Sequence, residues 1–468
     1  MAMVGPDGRF FLTEVGRVLA RLFVPCLLVI GLVGAPTAHA EETLASALGL
    51  AYLHNPSLQA ARAKLRSADE QVPSALAGMR PSISLSAADQ RSRSQGSSAA
   101  SGTSSKTTGI DVTQPIYKGG QIQARISSAQ SRVLAERASL MSSEQSTLLS
   151  AATAYMDVLR DRLDLELVSN YQTILSRQVE IEKRRLTVGE NTRTDVSQAE
   201  VRLAGAVADR FQMETTLRSS TSDYIRIIGQ EPGKLTNPVL TVNLPATIDE
   251  AIEAARTFNP DVVSARYLET SARSDVDAID GQLLPELNAV GSLSRTWYEG
   301  STLGKADTGS ITLRMTMPID NGSISSQARG ARQTVSQMML QIEDSQRRAV
   351  DSAVKSWNSL MAARAQIRFR EAAIHSINDM LSNMRTEVNI GARSLTDLLN
   401  AEQEALSARQ TLINAKHDEV IHSLTLLAAV GQLTAQSLSL PVKYYDYDAH
   451  YRQVRNKIWG VSLAKDPK

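Results

Sequence analysis

Residues 43–65 read TLASALGLAYLHNPSLQAARAKL, and residues 247–269 read TIDEAIEAARTFNPDVVSARYLE. The two stretches share Thr43 and Thr247, Ala47 and Ala251, Asn55-Pro56 and Asn259-Pro260, and Ala61-Arg62 and Ala265-Arg266, at an offset of 204 (247 against 43). That offset holds without a gap as far as Pro81 and Pro285. Gln114-Pro115-Ile116 then matches Met317-Pro318-Ile319 at 203. Gly189, Thr194-Asp195 and Ala199-Glu200 match Gly391, Thr396-Asp397 and Ala401-Glu402 at 202, and Ile228-Gly229-Gln230 meets Val430-Gly431-Gln432 at the same spacing. The period is far longer than the ~20–45 residues of solenoid repeats, so this is a duplicated domain and not a stacked array.

Each half carries one architecture. Asn55-Pro56 and Asn259-Pro260 read as helix breaks, because a residue before proline is pushed out of the α region. Short helices are expected at 43–78 and 247–282, and Pro81 and Pro285 open runs with strand character. The clearest has Ile311, Leu313, Met315 and Met317 alternating with Thr312, Arg314 and Thr316, a period of two. Ile83, Leu85 and Ala87, Ile110 and Val112, and Leu287, Ala289 and Leu293 alternate more weakly. Ser/Gly-rich tips at 94–106 and 299–309 separate the strands, which gives one β-hairpin per half, at 81–117 and 285–319. Beyond Lys118-Gly119-Gly120 there is no proline until Pro232. A helix from Gln121 to Val188 would run ~100 Å at ~1.5 Å per residue, and Ser323 to Ile390 repeats it. Gly189 and Gly391 stand where a left-handed residue would end these helices. Thr192 or Thr194, and Ser394 or Thr396, are candidate caps for return helices. Long helical hairpins are thus expected at 120–229 and 322–431, closing a first repeat at 41–240 and a second at 241–432, with a tail at 433–468. Their apolar residues are sparse among Ala and Ser. That suits either a two-stranded coiled coil or a helical wall with small residues at two seams.

The first forty residues read as a secretory signal: Arg9, Arg17 and Arg21, the apolar run Leu22 to Gly34, then Ala38-His39-Ala40. That run is shorter than the ~20 residues of a spanning helix and is broken by Pro25. The single cysteine, Cys26, lies within it, so the exported chain would have no disulfide, thiolate metal site or lipid-bearing cysteine. Loss of residues 1–40 takes three basic and two acidic residues from 50 and 49, leaving 47 of each. A zero balance gives no footprint for nucleic acid. Aromatic residues make up 4 %, which suits long helices with little interior better than thick globular cores.

Strand number then constrains assembly. Four strands of about ten residues have the length of membrane strands, ~9–11 residues each. Four cannot close, since the smallest membrane barrels have about eight, and an open edge in lipid leaves unpaired backbone groups. If these strands span a bilayer, several copies must share one barrel. Otherwise they form a soluble sheet on a periplasmic coiled-coil scaffold without channel activity. Tyr117, Trp297 and Tyr298 at strand ends fit an interfacial aromatic belt.

With both Asn-Pro pairs, the segments Gln114-Pro-Ile-Tyr-Lys-Gly-Gly120 and Met317-Pro-Ile-Asp-Asn-Gly322, and the tips Val188-Gly-Glu-Asn-Thr-Arg-Thr-Asp195 and Ile390-Gly-Ala-Arg-Ser-Leu-Thr-Asp397, the chain resembles the TolC-like outer membrane efflux protein family. The tail from Tyr447 to Gly460 looks like the branch used in type I secretion. The resemblance implies an α+β membrane protein that forms a homotrimer in outer-membrane lipid. Three chains would close a twelve-stranded β-barrel continuous with a periplasmic α-barrel. It also implies passive export in a tripartite type I secretion or multidrug efflux system, with a periplasmic adaptor and an inner-membrane transporter as partners. The tips Val188, Gly189, Glu190, Ile390, Gly391 and Ala392 would meet the adaptor. Arg393 and Asp397, with Asp195 on the first hairpin, would form the periplasmic gate. Asn400 stands where a second acidic ring would lie, and Glu190 replaces a small apolar residue. The plainer alternative makes Arg393 and Asp397 a solvated i,i+4 helix pair.

Nothing in the sequence is arranged for catalysis, and no cofactor is expected. His54, His375, His417, His422 and His450 have no metal-ligand spacing, and no phosphate loop or nucleophile elbow appears. Asp161, Asp164 and Glu166 read as a solvated helix face.

Overall fold

The computed structural model describes residues 42–96, 99–238, 243–299 and 304–462. The signal-segment reading, on residues 1–40, lies outside the described residues. The first half runs α1 (Leu44–His54), α2 (Pro56–Asp69), α3 (Gln71–Ala77), β1 (Ser82–Gly96), β2 (Ala99–Lys118), α4 (Gln121–Thr187) and α5 (Arg193–Ile228). The second runs α6 (Ile248–Phe258), α7 (Pro260–Asp280), a 3-10 turn, β3 (Glu286–Glu299), β4 (Lys305–Thr316), α8 (Ser323–Asn389) and α9 (Leu395–Ala429). Helix α10 (Ala449–Val454) lies in the tail. Helices α4 and α8 each have 67 residues, or ~100 Å at ~1.5 Å per residue.

The duplicated Asn-Pro pairs do more than break helices. Asn55 Oδ1 accepts the Ser57 and Leu58 N–H groups and so caps α2, while its Nδ2 donates to the Ile227 carbonyl at 3.0 Å. Asn259 does the same for α7, accepting from Asp261 N–H and donating to the Ala429 carbonyl at 3.0 Å. Each Asn therefore caps one helix and satisfies an orphan carbonyl at the end of another, α5 or α9.

The four strands form one antiparallel sheet in the order β1-β2-β3-β4, so β1 and β4 are its edges. The strands have 15, 20, 14 and 12 residues, longer than the ten expected. Much of the segments 94–106 and 299–309, expected as tips, is strand, with β2 beginning at Ala99 and β4 at Lys305. Ser and Thr extend a ladder as well as apolar residues do once a neighbouring strand takes up their backbone groups, yet they leave no alternation to read.

At the tip end, Val168, Tyr171 and Leu175 of α4 pack with Ala206 of α5 and with Leu399 and Leu406 of α9. The Tyr171 hydroxyl donates to Gln403 Oε1 at 3.0 Å. Helix α4 thus has neighbours from both hairpins, the arrangement of a wall rather than of isolated two-stranded coils. The largest core gathers Tyr52, Leu58, Leu148, Tyr155, Tyr224 and Leu433 where the short helices and the tail meet α4, α5 and α9. Buried Glu144 holds the tail there, accepting Ala435 N–H at 2.7 Å and the Tyr447 hydroxyl at 2.9 Å. Arg62 lies between the rings of Tyr52 and Tyr445, 4.5 and 5.0 Å from their centroids.

Candidate functional site: the two faces of the sheet and the helical tips

The register sorts the sheet residues into two faces. Ile83 and Leu85 of β1, Ile110 and Val112 of β2, Ala289 and Leu293 of β3, and Ile311, Leu313 and Met315 of β4 all fall on one. Most of these side chains are exposed, Leu85 83 % and Ile311 93 %, while Val112 and Ala289 are half-buried. An apolar face this open across four strands must meet something other than water. The opposite face is hydroxylic: Ser84, Thr107, Ser292, Thr296, Thr308 and Ser310 lie on it with Asp111 and Arg314. Thr107 and Thr296 hydroxyls are 3.0 Å apart and those of Ser292 and Ser310 2.8 Å, so this face forms its own hydrogen bonds and remains wettable.

Two aromatics bound the apolar band. Tyr117 pairs with Leu287 near the helices, and Trp297 lies on the same face near the turns. Ten residues of β3 separate Leu287 from Trp297. At ~3.3 Å per residue that is ~33 Å along the strand, or ~25 Å after a tilt of ~40°, the height of a membrane barrel's apolar band. Tyr298, expected in the same belt, pairs with Ser105 and points to the hydroxylic face. A one-residue step reverses the face in a strand, and an aromatic pair cannot share one belt.

The helical tips end as their glycines suggest. Gly189 and Gly391 have φ of +78° and +73°, and Val188 and Ile390 beside them are 69 % and 74 % exposed. Thr192 and Ser394, rather than Thr194 and Thr396, are the N-caps. Asp195 closes a capping box: its Oδ2 accepts the Thr192 N–H at 2.9 Å and the Thr192 hydroxyl at 2.7 Å. Those bonds hold the Asp195 carboxyl below its usual range. Asp397 Oδ2 likewise accepts the Ser394 hydroxyl at 2.8 Å. Arg393 donates through Nε to Glu387 Oε2 at 2.8 Å, so within the chain Arg393 is brought to Glu387 rather than to Asp397 or Asp195. Glu190 and Ala392 are exposed beside their glycines. Sequence reasoning missed the ties between hairpins. Arg202 donates to Asn400 Oδ1 at 2.7 Å, and the Thr396 hydroxyl to Gln198 Oε1 at 2.8 Å. Asn400, where an acid was expected, is thus a partner to a cation of the first hairpin.

Of the three acids read as a solvated face, only Glu166 is exposed. Asp161 and Asp164 are buried in the α4 seam, 3 % and 8 % exposed. Two acids three residues apart on a helix face a coiled-coil seam as readily as they face solvent. Burial pushes the Asp164 carboxyl up to about 6, with Arg160 opposing the shift and Asp161 adding to it. The native pKa exceeds the unfolded one, so the native state prefers the protonated acid. The penalty is absent below pH ~4, grows between ~4 and ~6, and is full above, about 3 kcal/mol per chain. The wild-type melting temperature should fall as pH rises from 4 to 6.5, and Asp164→Asn should flatten that slope. An unchanged slope in the variant would assign it elsewhere. His417 on α9 bridges to Asp157 on α4, 3.0 Å from its Oδ1. His450 in the tail reaches Asp69 Oδ2 at 3.0 Å. Both histidines latch segments together, and no group of three His, Cys, Asp or Glu suited to a metal occurs among the described residues.

The profile described as "Outer membrane efflux protein" matches residues 47–230 and 251–432, one match per repeat. Outer membrane efflux protein BepC of Brucella suis biovar 1 is 32 % identical over 94 % of this chain and 96 % of its own. Outer membrane protein TolC of Vibrio cholerae is 26 % identical over 85 % of this chain and 92 % of its own. Among solved structures, the Campylobacter jejuni CmeC outer membrane channel superposes with a TM-score of 0.75 at 17 % identity, covering 88 % of this chain and 89 % of that one. A sheet with one lipid-compatible face and one wettable face, joined to paired helical hairpins and matched along both repeats, identifies the chain as a member of the outer membrane efflux protein family, an exit duct of the outer membrane.

Proposed function

We propose that three copies of this chain form the outer-membrane stage of a tripartite export system, passive and without enzymatic activity. The carrying observation is the sheet itself: an apolar band of bilayer height on one face, hydroxyls on the other, and edges at β1 and β4. A four-stranded sheet cannot close, and an exposed edge in lipid leaves its backbone groups unpaired. Three copies would supply twelve strands, pairing each β4 with a neighbour's β1 and turning the hydroxyls inward around an aqueous path. A Ser/Thr lining of this kind offers no apolar pocket for one cargo. Substrate choice then belongs to the inner-membrane partner, and one duct can serve both multidrug efflux and type I secretion. The bare Val188 and Ile390 tips are the surface for the periplasmic adaptor, and the Arg393 region is the gate.

The test is the assembly and conductance of the full-length protein. Purified in detergent, it should size as a trimer, insert into planar bilayers and pass current. A monomer without conductance would refute the reading. Cross-linking from cysteines placed at Val188 and Ile390 should capture an adaptor of the membrane-fusion type. Tips that capture no periplasmic protein would move the docking surface elsewhere.

A further inference from the structure

The apolar face changes character toward the turns, the end away from the helices. Five cations stand there, Arg91, Arg93, Lys106, Arg295 and Lys305, against three carboxylates, Asp89, Glu299 and Asp307. Arg295 is held by Asp307 through two hydrogen bonds of 2.6 and 2.9 Å, and Lys106 by Glu299 at 2.7 Å. Lys305 makes no ion pair among the described residues. Lys106, Trp297 and Lys305 share one register row, with Arg295 two residues along β3 from Trp297. The opposite end of the same face carries Tyr117, Leu287 and Met315 in the corresponding place.

Below this cluster the apolar rows have gaps. Gly291, paired with both Val112 and Ile311, is open, with nothing within 4 Å of where a Cβ would stand, while Gly309 is overlain by the side chain of its pair Leu293. A groove of about 610 Å³ is bordered by Leu85, Ile110, Leu293, Arg295, Trp297 and Asp307. A second groove of about 610 Å³ continues it over Gly291 to Ile311. An apolar groove with a cationic head is the shape of a site for an amphiphile with an anionic end.

We propose that this strip is a lipid site, occupied by a phosphorylated acyl lipid of the surrounding outer leaflet. A phosphate sits on Lys305, flanked by Lys106 and Arg295, with an acyl chain running past Leu293 and over Gly291. The inference rests on the placement of the apolar face in the bilayer. A free anion would find two of its three cations already neutralised, so the groove must supply part of the affinity, and that selects a lipid over inorganic phosphate. Trp297 fits the level of the headgroups, where indole rings collect.

Native mass spectrometry of the full-length protein in detergent tests it with three probes: a bis-phosphorylated acylated disaccharide lipid, its dephosphorylated form, and inorganic phosphate. Each cation near a charged lipid surface contributes about 1 kcal/mol, about a fivefold change in affinity. Lys305→Ala should weaken the phosphorylated lipid by about fivefold, and Lys106→Ala/Lys305→Ala by about twenty-fivefold, leaving the dephosphorylated lipid unaffected. Gly291→Leu fills the groove without a clash, since a Cβ there meets nothing within 4 Å. It should weaken both lipids. The proposal fails if the dephosphorylated lipid binds as tightly as its parent, if the variants bind like wild type, or if millimolar inorganic phosphate alone displaces the lipid. A carbonate wash that strips the protein from membranes would instead overturn the bilayer placement beneath it.

Discussion

The variants Gly119→Val and Gly281→Val should each fail to yield an assembled protein. At Gly119 the chain leaves β2 with φ of +54°, a conformation that side chains with a Cβ rarely adopt. A Cβ there would fall 2.1 Å from the Gly281 carbonyl oxygen and 2.9 Å from Leu284 Cβ. A Cβ on Gly281 would fall 2.4 Å from the Gly119 carbonyl oxygen and 2.9 Å from Gln121 Cγ. These are mainly backbone obstacles, so no rotamer change relieves them. The two turns cannot simply separate either. Gln121 Nε2 donates to the Gly281 carbonyl at 3.3 Å and to Glu286 Oε1 at 3.1 Å, tying the start of α4 to the start of β3. This is where the sheet is set upon the helices, and a shift there misaligns every register pair above it. The expected cost exceeds ~4 kcal/mol, the range of exceptional substitutions. Gly205→Ala is the control: a Cβ at Gly205 in α5 meets nothing within 4 Å, and alanine should add ~0.5–1 kcal/mol of helix stability. Trimer yield by size exclusion and the melting temperature provide the readout. A Gly119→Val protein recovered as trimer, melting within a few degrees of wild type, would show that the turns move apart.

That contact also marks where the sequence stops being legible. Features made by neighbours in the chain could be read: the Gly189 and Gly391 helix ends, the caps to within two candidates each, and the two 67-residue helices. The duplication exposed the repeated Asn-Pro pairs as well, but only as breaks. Their second bond, to a carbonyl 172 residues away for Asn55 and 170 for Asn259, leaves no local trace. The Gly119–Gly281 contact was hidden by the repeat itself. At the offset of 204, Gly281 matches Ala77, so comparing the halves flags no constraint. Asp161 and Asp164 misled for a related reason, since a charged i,i+3 pair looks the same facing water or a seam. The sheet shows the converse. Serines and threonines that seemed to be loop continue the β1–β2 ladder, and only strand pairing reveals their order. Among the residues proposed for the gate, Asp195 and Asp397 were read for charge alone, and the structure gives both a capping bond.

Those capping bonds decide how the gate must be probed. Arg393→Ser should raise the open fraction of the channel, seen as larger single-channel current and greater sensitivity to bulky antibiotics. The Arg393–Glu387 pair is about half exposed at both ends. An ion pair so placed contributes ~0.5 kcal/mol. Three copies closing one aperture would sum to ~1.5 kcal/mol, about a tenfold change in the open-to-closed ratio. Alanine at Asp195 or Asp397 is a poor partner experiment, because it also removes part of a helix cap, and cap loss alone costs ~1 kcal/mol. Asparagine keeps an acceptor for Thr192 or Ser394 while deleting the charge. Two closures then separate cleanly. If Arg393 holds the duct shut through its own chain, Glu387→Gln reproduces the Arg393→Ser current and Asp195→Asn does not. If Arg393 reaches instead to a neighbouring tip, Asp195→Asn or Asp397→Asn opens the channel and Glu387→Gln leaves it closed. In either case the difference from wild type should shrink in 1 M salt, where the screening length falls to ~3 Å. A wild-type current in all four variants at low salt would remove these charges from the gate and leave closure to the packing of α4, α5 and α9 around Tyr171 and Leu399.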